Sequence, residues 1–358
     1  MSEVEKDHSI PIAVISDGKP GHENQSLGIA EHIPDANILV LRHSLKESIP
    51  EAWLRFQVRF SSRSRANPKR LLLRVFTKDG LEKLTDHSPV AVIAAGTLSA
   101  GPCVLAGALT GAKTCICMKP SMFPLSMFDL AVVPAHDNPP DAPNTIKTLA
   151  APNRVSPLML STEWTKWREE LPGDTDVISW VIGGPSSSAD FDEQHILSAL
   201  ISSLEWASKS NRRVWLSTAR RTPVSLEDRI AALPERYQSL SWMLLWHRDQ
   251  RNPLYAMFHR SRIAIVTSDS VSMIAEAASA GKGPIVCQAG PKHQPKKTKQ
   301  DRMVDRLIEA GYGTRSTSEQ ELVGTLDHLL STNTEFPRLD DTEKAANRLL
   351  DLIRIESI

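Results

Sequence analysis

Short apolar runs, each closed by glycine, proline or hydroxyl residues, recur along the chain and are separated by helix-length segments of mixed polarity. Ile10–Ile15 is predicted as a fully buried strand, followed by a loop over Ser16–Gln25 and a helix over Ser26–His32. Ile38–Leu41, Val90–Ala94, Thr114–Met118 and Leu130–Val133 are predicted as further strands of the first half. The second half repeats the pattern, with strands over Val177–Ile182, Val214–Ser217, Leu240–Leu245, Ile263–Thr267 and Pro284–Cys287 and helices over Glu193–Ser208 and Ser268–Gly281. Strands that are apolar throughout and alternate with helices predict parallel sheets covered on both faces, an α/β fold. The chain has 358 residues, more than the roughly 250 to 300 that one core accommodates, so two domains are expected. The Pro-, Asn- and Asp-rich stretch Pro134–Pro157 is expected to be surface loop, with the boundary between Pro157 and Pro172. A last helix is expected over Asp341–Ile353, where Ala345, Ala346, Leu349, Leu350 and Ile353 fall on one face.

Composition narrows this picture only slightly. Apolar residues make up 41% and charged residues 23%, with 42 basic side chains against 42 acidic ones, so global disorder and a nucleic-acid coat are not expected. The four cysteines do not have the spacing of a disulfide framework or a zinc set, and no metal is expected. The N-terminus lacks the basic, then apolar, pattern of a signal peptide, and a cytoplasmic protein is expected. Val90–Ala112 carries no charged residue and is long enough to span a bilayer, yet its glycines and Pro102 divide it into strand, turn and helix.

Candidate chemistry collects where strands end, the edge at which doubly wound sheets bind ligands. Thr267-Ser-Asp-Ser-Val-Ser-Met-Ile-Ala-Glu276 runs from a buried strand straight into a helix. Its first N–H groups and positive dipole end make an anion site from Ser268, Asp269, Ser270 and Ser272, with Glu276 available to ribose hydroxyls. Ser and Asp are equally good helix caps. Gly183-Gly184-Pro185-Ser186 is a second candidate phosphate turn and Arg220-Arg221 a third, although each also reads as an ordinary connection. In the first half, Ser16–Gln25 gathers Asp17, Lys19, His22, Glu23 and Gln25. His22 is a candidate general base, with Asp17 or Glu23 orienting it or taking that role, unless these residues merely cap a helix. Lys19, Gln25 and Thr97 of the Gly96-Thr-Leu-Ser turn are candidates for holding an acceptor. His247 lacks the spacing of a metal ligand.

Arg42–Arg74 is strongly basic and interleaved with Trp53, Phe56 and Phe60. It suits peripheral docking on the anionic inner face of a membrane, or a solvated helix with long basic stems.

The segment Ser16-Asp-Gly-Lys-Pro-Gly-His-Glu-Asn-Gln-Ser26, the Gly183-Gly184-Pro185 turn, and Ser268-Asp-Ser-Val-Ser-Met273 with Glu276 resemble the mitochondrial fission ELM (elongated mitochondria) family and its bacterial relatives. That family in turn resembles the GT-B glycosyltransferases, in particular the muramyl-pentapeptide N-acetylglucosaminyltransferases. The shared order is Pro20-Gly21-His22, Gly183-Gly184-Pro185-Ser186, Asn252–Arg262 before a strand, and Glu276 ahead of Ala277–Gly281. The resemblance implies two Rossmann-type doubly wound domains facing a cleft: residues 1–160 for the acceptor, 161–335 for a nucleotide-sugar donor, and a C-terminal helix over 336–358 packing back on the first. It also implies a metal-independent glycosyltransferase that needs no cofactor beyond its nucleotide-diphosphate-sugar substrate. His22 or Asp17 would then be the base, Ser270, Ser272 and the helix start would hold the diphosphate, and Gln300 would touch the donor sugar. Pro185 and the basic run Lys292–Lys299 depart from the comparison. Because plant members are linked by name to organelle division, the resemblance leaves a non-catalytic adaptor open, and the same scaffold admits an epimerase or hydrolase.

Overall fold

The computed structural model describes residues 9–43, 68–121, 123–172, 176–186, 190–290 and 297–355. Within them lie twelve strands: β1 Ile10–Ser16, β2 Ala36–Arg42, β3 Ala91–Ala95, β4 Lys113–Cys117, β5 Leu130–Pro134, β6 Thr145–Thr148, β7 Val177–Ile182, β8 Arg213–Thr218, β9 Leu240–Leu244, β10 Ile263–Thr267, β11 Ile285–Cys287 and β12 Thr314–Ser316. They form two six-stranded sheets, ordered β2-β1-β3-β4-β5-β6 and β12-β11-β10-β7-β8-β9. Every pairing is parallel, with β1 in register from Ile10↔Ala36 against β2 and from Ile12↔Ala91 against β3.

The chain divides into two compact units, Met1–Arg154 with Asp340–Ile358, and Val155–Leu339. In the first, alternate strand residues feed separate cores on the two faces of the sheet. Ala13 and Ile15 of β1 pack with Leu72, Leu84 and Ala100 from the helices Pro68–Leu72, Lys78–His87 and Gly96–Thr110. Ile12 and Val14 pack instead with Ile29 of the helix Pro20–Glu31 and with Ala345, Ala346, Leu349 and Leu350 of the helix Asp341–Ile355. Two apolar faces explain why the strands read as unbroken apolar runs. The last helix is fastened at its start: Asp341 Oδ2 accepts the N–H groups of Leu149 (2.7 Å) and Ala150 (3.0 Å), and Thr342 Oγ1 accepts that of Asn153 (3.0 Å). In the second unit Ile178, Trp180 and Ile182 of β7 face the larger core, while Val177 joins Trp167, Trp215 and Leu244 on the other side.

Three elements differ from the sequence expectation. The first helix begins at Pro20, not near Ser26, because proline suits the first helical position, where its missing N–H loses nothing. His22, Glu23 and Gln25 therefore stand on a helix and not in a loop. The stretch expected to be loop contains β6, an edge strand whose Thr145-Ile-Lys-Thr148 sequence offers little apolar signal. β12 is only three residues long and was not expected. No helix of the described residues is long and apolar enough to cross a membrane; Val90–Ala112 is β3 followed by the helix Gly96–Thr110. Of the basic stretch Arg42–Arg74, residues 44–67, with Trp53, Phe56 and Phe60, lie outside the described residues, as do 292–296 of the second basic run.

Candidate functional site

Each sheet has one point where strand order reverses: between β1 and β3 in the first unit and between β7 and β10 in the second. Backbones diverge beyond the carboxyl ends of the strands there, which opens a crevice for ligands. Both clusters of candidate residues fall at these two points.

In the second unit the crevice is braced by its own side chains. Thr267 Oγ1 accepts the Gly183 N–H (2.8 Å), and Asp269 Oδ2 accepts the Gly184 N–H (2.8 Å) and an Arg221 N–H (3.3 Å). Arg221 also donates to the carbonyls of Gly184 (2.7 Å) and Pro185 (3.0 Å). A Cβ on Gly183 would collide with the Asp269 carboxylate, and one on Gly184 with the Arg221 carbonyl. The two glycines are thus demanded by the close approach of neighbouring chain, and their N–H groups are already bonded. Gly183, Gly184, Asp269 and Arg221, expected on a phosphate, are bonded to one another. Asp269 is fully buried; burial raises its pKa against the lowering effects of Gly184, Thr267 and Arg221, and its Oδ1 has no hydrogen-bond partner. Arg220 is exposed, and Ser186 is half-buried beside residues 187–189, which are outside the described set.

The helix Val271–Ser279 starts at the same crevice. Ser270 occupies the capping position but its side chain makes no capping bond, and the first turn holds no acid. The first-turn N–H groups therefore keep their partial positive charge for an external anion. Ser268 departs from expectation, because its Oγ is used to accept the Ala289 N–H (3.0 Å) beyond β11. Ser272 is exposed on the opening turn. Farther along, half-buried Glu276 accepts a bond from the Tyr255 hydroxyl (3.1 Å), and burial, outweighing that bond, pushes its pKa up to about 7. Gln300 lies on the helix Lys299–Glu309, which packs against Val271–Ser279, and its buried Oε1 is without a hydrogen-bond partner.

In the first unit the carboxylate serves a histidine. The Asp17 side chain is 2% exposed, and its Oδ2 lies 3.0 Å from His22 Nδ1. Oδ1 accepts the Lys19 N–H (3.2 Å), and the Lys19 ammonium lies 3.6 Å from Oδ2. Burial alone would raise the Asp17 pKa, but the Lys19 N–H, His22 and the Lys19 charge together lower it, so Asp17 is an anion that fixes the proton on Nδ1. The ring is seated over Gly96, where a Cβ would stand 2.6 Å from His22 Cε1 at a φ of +78°. With Nδ1 turned to the carboxylate, Nε2 is the ring's other nitrogen. Glu23 does not share this role: Ser16 Oγ (2.7 Å) and the Arg42 guanidinium (2.7 and 3.0 Å) occupy both its oxygens, and the Arg42 bond lowers its pKa. Thr97 Oγ1 accepts the Ser121 N–H (3.0 Å), and Gln25 Nε2 meets Met118 Sδ (3.6 Å) with Oε1 buried and unpartnered.

His43, Tyr255, Thr222 and Glu227 were missed by sequence reasoning. His43 follows β2, is buried with Nε2 3.1 Å from Ser99 Oγ, and has its pKa lowered by burial against the influence of Asp17. Its signal was available, since it stands at the carboxyl end of a strand. Thr222 Oγ1 donates to the Gly183 carbonyl (2.5 Å) from a distant point of the chain, and nothing local announces that.

Two all-parallel sheets, each with ligand-type residues at its reversal point, define a GT-B-like protein built of two Rossmann-like units. The chain belongs to the mitochondrial fission ELM1 family, whose model matches residues 20–353. Among solved structures it is similar to the UDP-GlcNAc 2-epimerase of Methanocaldococcus jannaschii, at 8% identity and a TM-score of 0.59, over 97% of this chain and 99% of that one. It is also similar to MurG of Acinetobacter baumannii, at 12% identity and a TM-score of 0.45, over 96% and 99% of the two chains. At such identities the likeness concerns the fold. No curated protein sequence matches the chain.

Proposed function

We propose that this protein is a glycosyltransferase that binds a uridine-diphosphate sugar in its second unit and activates an acceptor hydroxyl with His22. The observation that carries the reading is the start of Val271–Ser279: an uncapped helix N-terminus at a sheet reversal, with Glu276 on the same helix. Unbonded N–H groups suit a diphosphate, and a carboxylate suits the ribose diol. That M. jannaschii epimerase of the same fold is named for a UDP-sugar supports the choice of uridine.

In the first unit, Asp17 holds the His22 proton on Nδ1, and Nε2 takes the proton of the acceptor hydroxyl as its oxygen attacks the anomeric carbon. The glycosidic bond to the diphosphate breaks, and the charge that develops on the leaving oxygen is stabilised by the helix start and by the exposed cation Arg220. These residues supply the electrostatic work without a metal. The acceptor would contact Lys19, Gln25 and Thr97.

Thermal stability measured against a panel of nucleoside diphosphates and their sugars tests the reading. UDP or a UDP-sugar is expected to raise Tm, and product analysis distinguishes transfer from epimerisation or hydrolysis. If no nucleotide shifts Tm, the donor reading falls and a non-catalytic adaptor takes its place.

A further inference from the structure

His43, which follows β2, joins the two segments of the first unit that hold the His22 ring. Its N–H donates to the carbonyl of Ser16 (3.0 Å), the residue before Asp17. Its side chain runs from the edge strand β2 to the helix that follows β3, with β1 lying between those strands, and places Nε2 3.1 Å from Ser99 Oγ. Both side chains are buried, His43 at 8% and Ser99 at 0% exposure. Ser99 stands in the opening turns of the helix Gly96–Thr110, whose start has no side-chain cap. At the first position of that helix is Gly96, with a φ of +78°, over which the His22 ring is seated.

Filling space does not call for an imidazole here. The ring lies edge-on to Phe76, centroids 6.2 Å apart, beside the apolar core on that face of the sheet. Its Nδ1 is buried and has no hydrogen-bond partner among the described residues, and a buried polar atom left unpaired is destabilising. A phenyl ring would occupy the same place without that cost. What the imidazole adds is the bond to Ser99. Burial lowers the His43 pKa against the influence of Asp17, so His43 does not compete as a cation for the carboxylate that His22 uses.

We propose that His43 is a positioning residue: by bonding Ser99 it holds the helix start at Gly96 against the His22 ring, and so keeps that ring turned to Asp17. This rests on the reading of His22 as the base and adds to it the group that sets its place. The imidazole ¹⁵N and Nδ1–H signals of His22, recorded on the whole protein, read the arrangement, and turnover of the UDP-sugar reads its consequence. His43→Phe keeps an aromatic ring and removes the bond. It should shift those signals and lower kcat about tenfold or more, because small misplacements of a reacting group are costly, with the KM for the UDP-sugar unchanged. Ser99→Ala should do the same from the other side of the bond, and the double variant should be no worse than either alone. His43→Gln, whose amide reaches Ser99 from the same point as Nε2, should restore both readouts. If His43→Phe does not fold, Ser99→Ala, the loss of one hydroxyl, carries the test. His22 signals that keep their wild-type positions in these two variants overturn the proposal, as does a folded His43→Gln no better than His43→Phe. Turnover that survives His22→Ala overturns the base reading instead, while the His22 signals still decide whether His43 sets the ring.

Discussion

The two reversal points use the same ingredients for different ends. In the first unit a buried carboxylate, Asp17, holds one histidine whose other nitrogen is free, and the neighbouring Glu23 is occupied elsewhere by Arg42. In the second unit the buried carboxylate Asp269 holds backbone and Arg221, and the groups left over are the N–H donors of a helix start. One site offers an imidazole held by a carboxylate; the other offers a helix start without a side-chain cap. Substitutions should therefore separate cleanly, those in the first crevice altering turnover and those in the second altering stability or binding.

The largest effect is expected from His22→Ala. Turnover should fall by about 10² to 10⁴, the usual contribution of a positioned base, with Tm and UDP affinity nearly unchanged. A variant that keeps its turnover removes His22 from the chemistry. Gly184→Ala should act in the opposite sense. Its Cβ would meet the Arg221 carbonyl, so denaturant unfolding should show a loss of about 1 to 3 kcal/mol. Wild-type stability in that variant would mean that the brace is not rigid.

Glu276 gives a pH test. Its folded pKa of about 7 stands above the ordinary carboxylate value of 4.5, so the folded protein holds more protons than the unfolded chain across that interval. The stability lost to this group grows as pH rises from about 4.5 to 7 and is constant above. Glu276→Gln should consequently be more stable than wild type at pH 8 by up to about 2 to 3 kcal/mol, with little difference at pH 4. Equal stabilities at both values would contradict a half-buried carboxyl group that holds its proton to about pH 7. A smaller effect is expected from Arg42→Ala, which releases an exposed guanidinium from Glu23. A small loss of stability, reduced further by salt, would fit its surface position.

Much of this arrangement was legible in the sequence, for reasons that can be traced to particular residues. Ile263–Thr267 is apolar because both faces of β10 are covered, and its end at Ser268 marks the crevice directly. Asp17 and His22 were legible because they lie only five positions apart, Asp17 just before the helix Pro20–Glu31 and His22 in its first turn. The pairing of Asp269 with Arg221 was not legible, since it joins positions 48 residues apart and a local reading sees only a phosphate-type turn. Glu227 resembles any surface glutamate of a helix until Thr218 and His247 are found around it. Edge strands β6 and β12 need few apolar residues and so leave little pattern to read.

Calorimetric titration of UDP into wild type and Glu276→Gln at pH 6.5, in buffers of different ionisation enthalpy, tests the central claim most directly. Ribose hydroxyls donating to Glu276 favour its ionised form, so wild-type binding should release a proton, should strengthen as pH rises toward 7, and should lose both properties in the variant. Absence of binding, or proton release that persists in Glu276→Gln, would contradict a donor nucleotide seated on the helix Val271–Ser279.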